Sequence, residues 1–405
     1  MCIGRDTRRS GAMLEAAVAA GVCAEGADAV LLGVVPTPAV AVVAAEERTV
    51  GIVISASHNP FADNGLKLFA AGGRKLTDDE QAGVEATIAE VLVVGGRPGP
   101  TGAAVGVVRT DDTAVARYGE SVVRALDGRR LDGLRIVVDC AHGANSEVAP
   151  GVLRRLGAEV VVIADAPDGT NINRDVGSTH PEALAAAVVD AGADLGVAFD
   201  GDADRLLAVD HGGRLVDGDT IMALCAVDLH GRGALRHGTV VVTVMSNLGF
   251  HHAMRDAGIE VVTTAVGDRY VLEAMQLGGF SLGGEQSGHL VFADHATTGD
   301  GLLSAAMLCD LVVRSGRPLA ELADSAMVQL PQVLRNVRVE GVATEVVDRV
   351  ADAVASATTA LGDRGRVLLR PSGTEPVVRV MVEAPTTAEA ESVAADLVAA
   401  VESVR

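Results

Sequence analysis

Four stretches of the chain carry residue types and spacings that could do chemistry. In Gly51 to Lys67, four apolar or small residues (Gly51 to Ile54) read as the end of a buried strand, and a loop of Ser55, Ala56, Ser57, His58, Asn59 and Pro60 follows. Pro60 disfavours helix at Asn59, and short hydroxyl and amide side chains bond to nearby backbone. A hydroxyl at the carboxyl end of a buried strand is where open α/β sheets present groups to ligands. His58 beside Ser57, and Lys67 shortly after, offer proton-transfer chemistry at the same mouth. Taken alone, the stretch is equally consistent with ordinary turn chemistry.

The second stretch, Asp200-Gly-Asp-Ala-Asp-Arg205, puts three carboxylates at alternating positions directly after the strand ending at Phe199. Hard oxygens converging on a short loop suit Mg²⁺, which takes a few carboxylates plus water or phosphate oxygens. An EF-hand is excluded, because Arg205 stands where its glycine belongs and His211 where its glutamate belongs. Arg205 adjoins the loop as a phosphate-holding guanidinium would. The alternatives are a solvated acidic turn and an aspartyl-phosphate nucleophile at Asp200 and Asp202, as in haloacid-dehalogenase-type phosphatases.

The third stretch, Gly283 to His289, spaces Glu285, Ser287 and His289 two apart, so extended geometry would turn all three to one side. A carboxylate and a hydroxyl facing one way suit a sugar's vicinal hydroxyls, with His289 as a base or polar lid. In the fourth, Ser372, Gly373 and Thr374 sit between Arg370 and Arg379 as a small-residue anion cradle flanked by guanidiniums.

The totals narrow the partners. A net charge of −21 opposes nucleic acid or an anionic membrane as the main ligand, so clustered arginines are informative. Five scattered cysteines without a CxxC pair read as reduced, buried thiols of a cytoplasmic protein. The longest apolar run, Ala29 to Ala45, is broken by Gly33, Pro36 and Pro38, so it reads as strand plus turn and not as a membrane span. No signal peptide is visible. With aromatic residues at 2%, the cores must be Ala, Val and Leu.

At 405 residues, two to four domains are expected. Strand and helix alternate from the start, which indicates mainly parallel sheets covered by helices. The Gly/Pro-rich segment 94–106 reads as a boundary. Strands at 135–139, 159–163, 194–199, 239–244 and 260–265 alternate with helices at 113–126, 148–156, 181–191, 220–229 and 250–257. A tail from about residue 332 adds two strands (366–369, 377–383) and a final helix (387–401).

Five motifs in order, GRDTRRSG, SASHNPFADNGLK, DGDADR, GGEQSGH and RPSGTEPVVRVMVE, make the chain resemble an α-D-phosphohexomutase over essentially residues 3 to 385. NINRDVGSTHPE and VGDRYV resemble the bacterial glucosamine-type subgroup more than phosphomannomutase/phosphoglucomutase, which stays the alternative. The resemblance implies an α/β fold. Three similar α/β domains with mixed, mainly parallel sheets (1–110, 111–216, 217–329) and a smaller C-terminal α+β domain (330–405) would surround a central cleft. It implies Ser57 as phosphoserine, with His58 its neighbour, and Mg²⁺, one per site, on Ser57, Asp200, Asp202 and Asp204. Arg205 would contact the phosphoserine, and Lys67 and His289 would do acid/base work. Substrate contacts are expected from Arg5, Asp268, Arg269, Glu285, Ser287, Arg370, Ser372, Gly373, Thr374 and Arg379.

The implied reaction interconverts glucosamine 6-phosphate and glucosamine 1-phosphate, primed by glucosamine 1,6-bisphosphate, for UDP-N-acetylglucosamine and cell-wall precursor synthesis. A small phosphosugar is the expected partner, with the chain a monomer or homodimer. Members of the family carry a Gly-rich phosphate-binding turn, a helix and most of a strand ahead of the GRDTR strand. Here Met1 stands just before that strand, which leads to the expectation of a first domain with an uncovered sheet edge or face. It also leaves open a sugar-phosphate-binding protein of impaired turnover.

Overall fold

In the computed structural model, residues 1–95, 98–340, 342–371 and 376–404 are described. The chain divides into two units, one of residues 1–245 with 257–326 and one of residues 246–256 with 327–405.

The first unit repeats one plan three times. Its first sheet runs, in spatial order, Leu66–Phe69, Gly51–Ile54, Cys2–Arg5, Ala29–Val34 and Val108–Thr110. The pairings among 51–54, 2–5, 29–34 and 108–110 are parallel, and 66–69 adds antiparallel to 51–54. The second sheet sets Arg135–Asp139 parallel between Glu159–Ile163 and Leu195–Phe199, then adds Leu206–Asp210 and Leu215–Val216 antiparallel. The third sets Thr239–Thr243 parallel between Glu260–Thr264 and Leu282–Gly284, then adds Leu290–Phe292 antiparallel.

Composition explains the plan. Gly51–Ile54, Leu195–Phe199 and Thr239–Thr243 are buried at every position, as expected for parallel strands covered on both faces. Helices close the layers: Ala114–Ala125 buries Tyr118, Val122 and Ala125, and Gly301–Ser315 buries most of its length. With so few aromatics, the cores are closely packed Val, Leu, Ile and Ala, including Ile3, Val137, Val188, Val241 and Leu302.

The strand that opens the chain is the central strand of its sheet, with Cys2 and Ile3 fully buried. The Gly/Pro-rich segment 94–106 is followed by Val108–Thr110, which pairs with Ala29–Leu31 and so belongs to the first sheet. The helix Asp78–Val94 that precedes it is secured at its start by a capping box between Thr77 and Glu80, yet it buries no residue.

The second unit is an antiparallel sheet of Gln332–Arg338, Val377–Glu383 and Arg366–Pro371, with 377–383 in the middle. Its core is made by Val333, Val337, Val378, Val380 and Val382 against Leu397 and Val401 of the helix Thr387–Val404. Buried Glu383 is fully satisfied, accepting from Arg366, Gln332 and the Leu248 amide. Among the described residues, no helix is long and apolar enough to cross a membrane.

Candidate active site

The three loops singled out in the first unit occupy one topological position. Each joins a buried parallel strand to the antiparallel strand beside it: 55–65 joins 51–54 to 66–69, 200–205 joins 195–199 to 206–210, and 285–289 joins 282–284 to 290–292. The side chains therefore sit on hairpin turns and not at the mouths of βα crossovers.

Ser57 adopts φ 52°, a left-handed conformation unusual for a residue with a side chain. Its Oγ donates to Asp200 Oδ2 at 2.5 Å and lies 3.5 Å from His58 Nδ1. His58 is exposed at its tip. Partial burial of the ring and the Arg205 guanidinium push its pKa down.

Asp200, Asp202 and Asp204 are each at most 3% exposed. Each offers an oxygen, and those oxygens all lie within 4.8 Å of one another. Asp202 Oδ1 and Asp204 Oδ1 are buried without a hydrogen-bond partner. Three buried carboxylates with orphaned oxygens are unfavourable unless a cation neutralises them, so this donor set fits a hard divalent ion such as Mg²⁺.

Part of that charge is answered by protein groups. Lys67 Nζ pairs with Asp202 at 2.7 Å and with Asp204 at 3.0 Å. Burial disfavours its charged form, but these carboxylates outweigh it and hold its pKa above the usual lysine range. Thr37 Oγ1 donates to Asp202 at 2.5 Å. Burial and the other two carboxylates push Asp200 well up, whereas Lys67 and His289 outweigh burial at Asp204 and hold it well down.

His289 is 2% exposed. The Gly299 amide donates to its Nε2 at 3.2 Å, which puts the ring proton on Nδ1, facing Asp204 Oδ1 at 3.7 Å. A methyl on residue 299 would lie 2.3 Å from that ring, so glycine is what lets the loop close over it. Burial keeps the imidazole neutral although Asp204 opposes the shift.

Extended alternation is not what gathers Glu285, Ser287 and His289. Residues 285–288 form the turn of the hairpin, because the antiparallel pairing of 282–284 with 290–292 ends there. The turn folds Ser287 back to donate to Glu285 Oε2 at 3.3 Å, and the Gly267 amide donates to Oε1 at 3.1 Å.

A cavity of about 730 Å³ opens above these groups, lined by Ser57, Lys67, Asp204, Arg205, Asp268, Arg269, Glu285 and His289 among others. Asp268 and Arg269 begin the helix Asp268–Gly278 and are tied to the first sheet's segment, Asp268 to Lys75 and Arg269 to Asp78 and Gln81. Burial and nearby Lys67 push the Lys75 ammonium down to about 8. Arg5 is not gathered with this group; it pairs with Glu15 at 3.2 Å inside the first domain.

The arginine of GRDTRRSG that reaches the Ser57 loop is Arg8, which the sequence reading missed. It is 1% exposed and paired with fully buried Asp6. Lys75, Thr37 and Asn173 were also missed, because nothing in local spacing marks a residue that acts across sheets.

In the second unit, Arg370 and Arg379 face each other across the antiparallel pair. Burial and Arg379 push the Arg370 pKa down, the response expected of like charges held together. Ser372, Gly373 and Thr374 lie outside the described residues.

Comparison with known proteins fits this geometry. The phosphoglucomutase/phosphomannomutase family matches the chain four times: alpha/beta/alpha domain I over residues 1–92, domain II over 116–213, domain III over 217–330 and the C-terminal domain over 334–400. The chain belongs to that family. It is 58% identical to the phosphoglucosamine mutase of Frankia alni, over 98% of this chain and 87% of that one. To the phosphoglucosamine mutase of Rhodococcus opacus it is 56% identical, over 99% and 90%. Among solved structures, a phosphoglucomutase/phosphomannomutase family protein from Burkholderia thailandensis aligns with TM-score 0.84 and 27% identity, covering 99% of this chain and 88% of that one. Aspergillus fumigatus N-acetylphosphoglucosamine mutase, solved with GlcNAc-6P and magnesium, shares the fold at TM-score 0.68 and 20% identity, over 91% of this chain and 92% of that one.

Proposed function

We propose that this phosphohexomutase family member interconverts glucosamine 6-phosphate and glucosamine 1-phosphate through phospho-Ser57 and a 1,6-bisphosphate. The sugar follows the full-length relatives, which carry the name phosphoglucosamine mutase at 54–58% identity. The observation that carries the chemistry is the Ser57 hydroxyl at 2.5 Å from Asp200, at the edge of the buried carboxylate trio and open to the 730 Å³ cavity.

Phospho-Ser57 gives its phosphoryl group to one hydroxyl of the bound monophosphate, so the bond between Ser57 Oγ and phosphorus breaks as a bond between that hydroxyl oxygen and phosphorus forms. The proton of that sugar hydroxyl ends on the freed Ser57 Oγ; the bisphosphate then turns and returns its other phosphate to Ser57, whose hydroxyl proton passes to the sugar oxygen left behind. Mg²⁺ held by Asp200, Asp202 and Asp204 with an oxygen on Ser57 would offset negative charge on the moving group. Arg205, at the same cavity wall, is placed to offset it further.

Lys67 lines the cavity and neutralises Asp202 and Asp204, which hold it in its charged form, so in this reading its acid/base part is that of a proton donor and not of a base. The neutral His289 donates toward Asp204 and serves as a packed support more than as a free base. Glu285 and Ser287 are the sugar-hydroxyl contacts of this reading. Arg370 and Arg379, with Ser372, Gly373 and Thr374, bind the phosphate that is not being moved. Mutual repulsion of the two facing guanidiniums is relieved by an anion. Arg370→Ala should therefore raise KM by removing a contact worth about 1.5–3 kcal/mol; steady-state kinetics with an unaltered KM would remove Arg370 from the site.

The deciding experiment is incubation with glucosamine 1,6-bisphosphate and Mg²⁺, followed by mass analysis of the peptide holding residue 57 and by rates on glucosamine, glucose and mannose 6-phosphates. Phosphate on Ser57 and preference for the amino sugar are expected. No phosphate at that position, with turnover intact, would defeat the mechanism.

A further inference from the structure

Both peptide groups of Ser57 are tied down by side chains. Its amide donates to Ser55 Oγ at 2.9 Å, and Ser55 Oγ donates to Asp6 Oδ2 at 2.7 Å. Its carbonyl accepts from Arg8 Nη2 at 2.9 Å and from Asn173 Nδ2 at 2.9 Å. The same two donors reach the Asn59 carbonyl, Arg8 at 2.8 Å and Asn173 at 3.1 Å, and Arg8 Nη1 bonds the carbonyls of Pro60 and Asp63.

One arginine and one amide, from two different domains, thus meet the carbonyls on either side of His58. Arg8 is itself fixed by Asp6, Nε to Oδ2 at 2.8 Å, with neither side chain exposed. Asn173 sits at φ 58°, a conformation asparagine tolerates better than most residues. The space is tight on a third side, where a methyl on Gly201 would lie 2.7 Å from the Ser57 carbonyl oxygen and 2.9 Å from Asn173 Nδ2.

We infer that Arg8 and Asn173 are positioning residues that hold Ser57 in its left-handed conformation through the whole cycle. The inference rests on Ser57 being the phosphoryl carrier. The physical argument is that this serine must present its Oγ to the carboxylate trio in two states, bare and phosphorylated, with a doubly phosphorylated sugar turning over between them. A left-handed serine is strained, and a loop whose tip is exposed would relax from it unless the surroundings over-determine it. With N–H and C=O both engaged, only the side-chain torsion remains free, so the nucleophile returns to one place after each transfer. Neither residue touches the cavity described above; each acts through the Ser57 and Asn59 backbone.

Asn173→Gly removes two donors and no charge while keeping φ 58° at no steric cost, so it is the primary test; Arg8→Lys is the second, since it keeps a cation beside Asp6 but loses the planar fork. Single-turnover transfer from glucosamine 1,6-bisphosphate to residue 57 should slow roughly 10- to 100-fold, the scale of a small misplacement of reacting atoms. Its KM should stay within about threefold, because substrate contacts are intact. In metal-free protein, amide exchange over residues 55–65 should quicken while the rest of the first sheet is unaffected.

A merely structural role would lower the folded fraction and leave the rate per phosphorylatable site unchanged; that result, with exchange at 55–65 unaltered in both variants, would overturn the inference. If the unaltered protein gains no phosphate on residue 57, the carrier reading falls and this inference with it. If the unaltered protein is phosphorylated and Asn173→Gly matches its rate and KM, only the clamp falls.

Discussion

Two hairpin loops in equivalent positions solve opposite problems. The turn at 55–65 is exposed from His58 to Asp63 and takes its order from elsewhere, from Arg8 below and Asn173 alongside. The turn at 200–205 is buried from Asp200 to Asp204 and is anchored by backbone bonds to its neighbours, including the Thr37 amide to the Asp202 carbonyl and the Gly301 amide to the Ala203 carbonyl. What it lacks is charge balance, which Lys67 supplies in part from the far end of the first hairpin. One loop has the reactive oxygen and borrows rigidity; the other has rigidity and borrows charge. A carrier that must be loaded and unloaded needs access, whereas an ion site needs fixed oxygens and little water.

Four experiments sharpen or break that contrast. Ser57→Ala should abolish phosphoenzyme and reduce turnover by about 10⁴-fold or more, since Ser57 carries the hydroxyl that meets the carboxylate trio while Ser55 Oγ is turned to Asp6. Full turnover in this variant would remove the first loop from the chemistry. Asp202→Ala should weaken Mg²⁺ affinity by more than about 100-fold, while the metal-free protein melts no lower because a buried like charge is gone. An unchanged metal titration would mean the second loop is not the ion site.

Lys67→Met is the finer probe of borrowed charge. Without metal it should cost roughly 2–4 kcal/mol in denaturant unfolding, because Asp202 and Asp204 lose their paired cation. Saturating Mg²⁺ should restore much of that loss. If Mg²⁺ restores nothing, the lysine and the ion do not answer the same charge.

The smallest effect concerns Asp300, behind the second loop, which accepts from the Tyr118 hydroxyl at 2.6 Å and caps the helix Gly301–Ser315. Burial raises its pKa to about 6 from 3.8. The unfolded chain therefore releases this proton first as pH rises. The stability attached to the protonated form is fully present below pH 3.8 and is lost as pH passes 6. Asp300→Asn keeps the acceptor and removes the charge, so its stability relative to the unaltered protein should climb by up to about 3 kcal/mol between pH 4 and 7. A flat difference across that range would show that Asp300 does not titrate as its burial dictates.

Much of the architecture was legible because strands buried on both faces announce themselves as apolar runs. The strands at 135–139, 159–163 and 377–383 and the helix at 148–156 lie where the pattern puts them. Less legible were the antiparallel strands Leu206–Asp210 and Leu290–Phe292, and helices such as Ala351–Leu361, whose mixed or alanine-rich composition has no strong period. The Glu285 turn was misjudged as extended for a related reason. A two-residue spacing looks the same in a strand and in a tight hairpin until the partner strand is known.

By itself the sequence determined the chemical inventory: a serine after a buried strand, three alternating carboxylates, paired arginines around small residues, and motifs in an order that identify the family. It could do so because type and spacing along one segment are local properties. Only the tertiary structure decided that Lys67 neutralises two of those carboxylates, that Arg5 turns to Glu15 while Arg8 goes beneath the nucleophile loop, and that Asn173 reaches across from another sheet. Those contacts join residues from ten to more than a hundred positions apart, and their strength depends on burial and on angles that exist only once the sheets have packed.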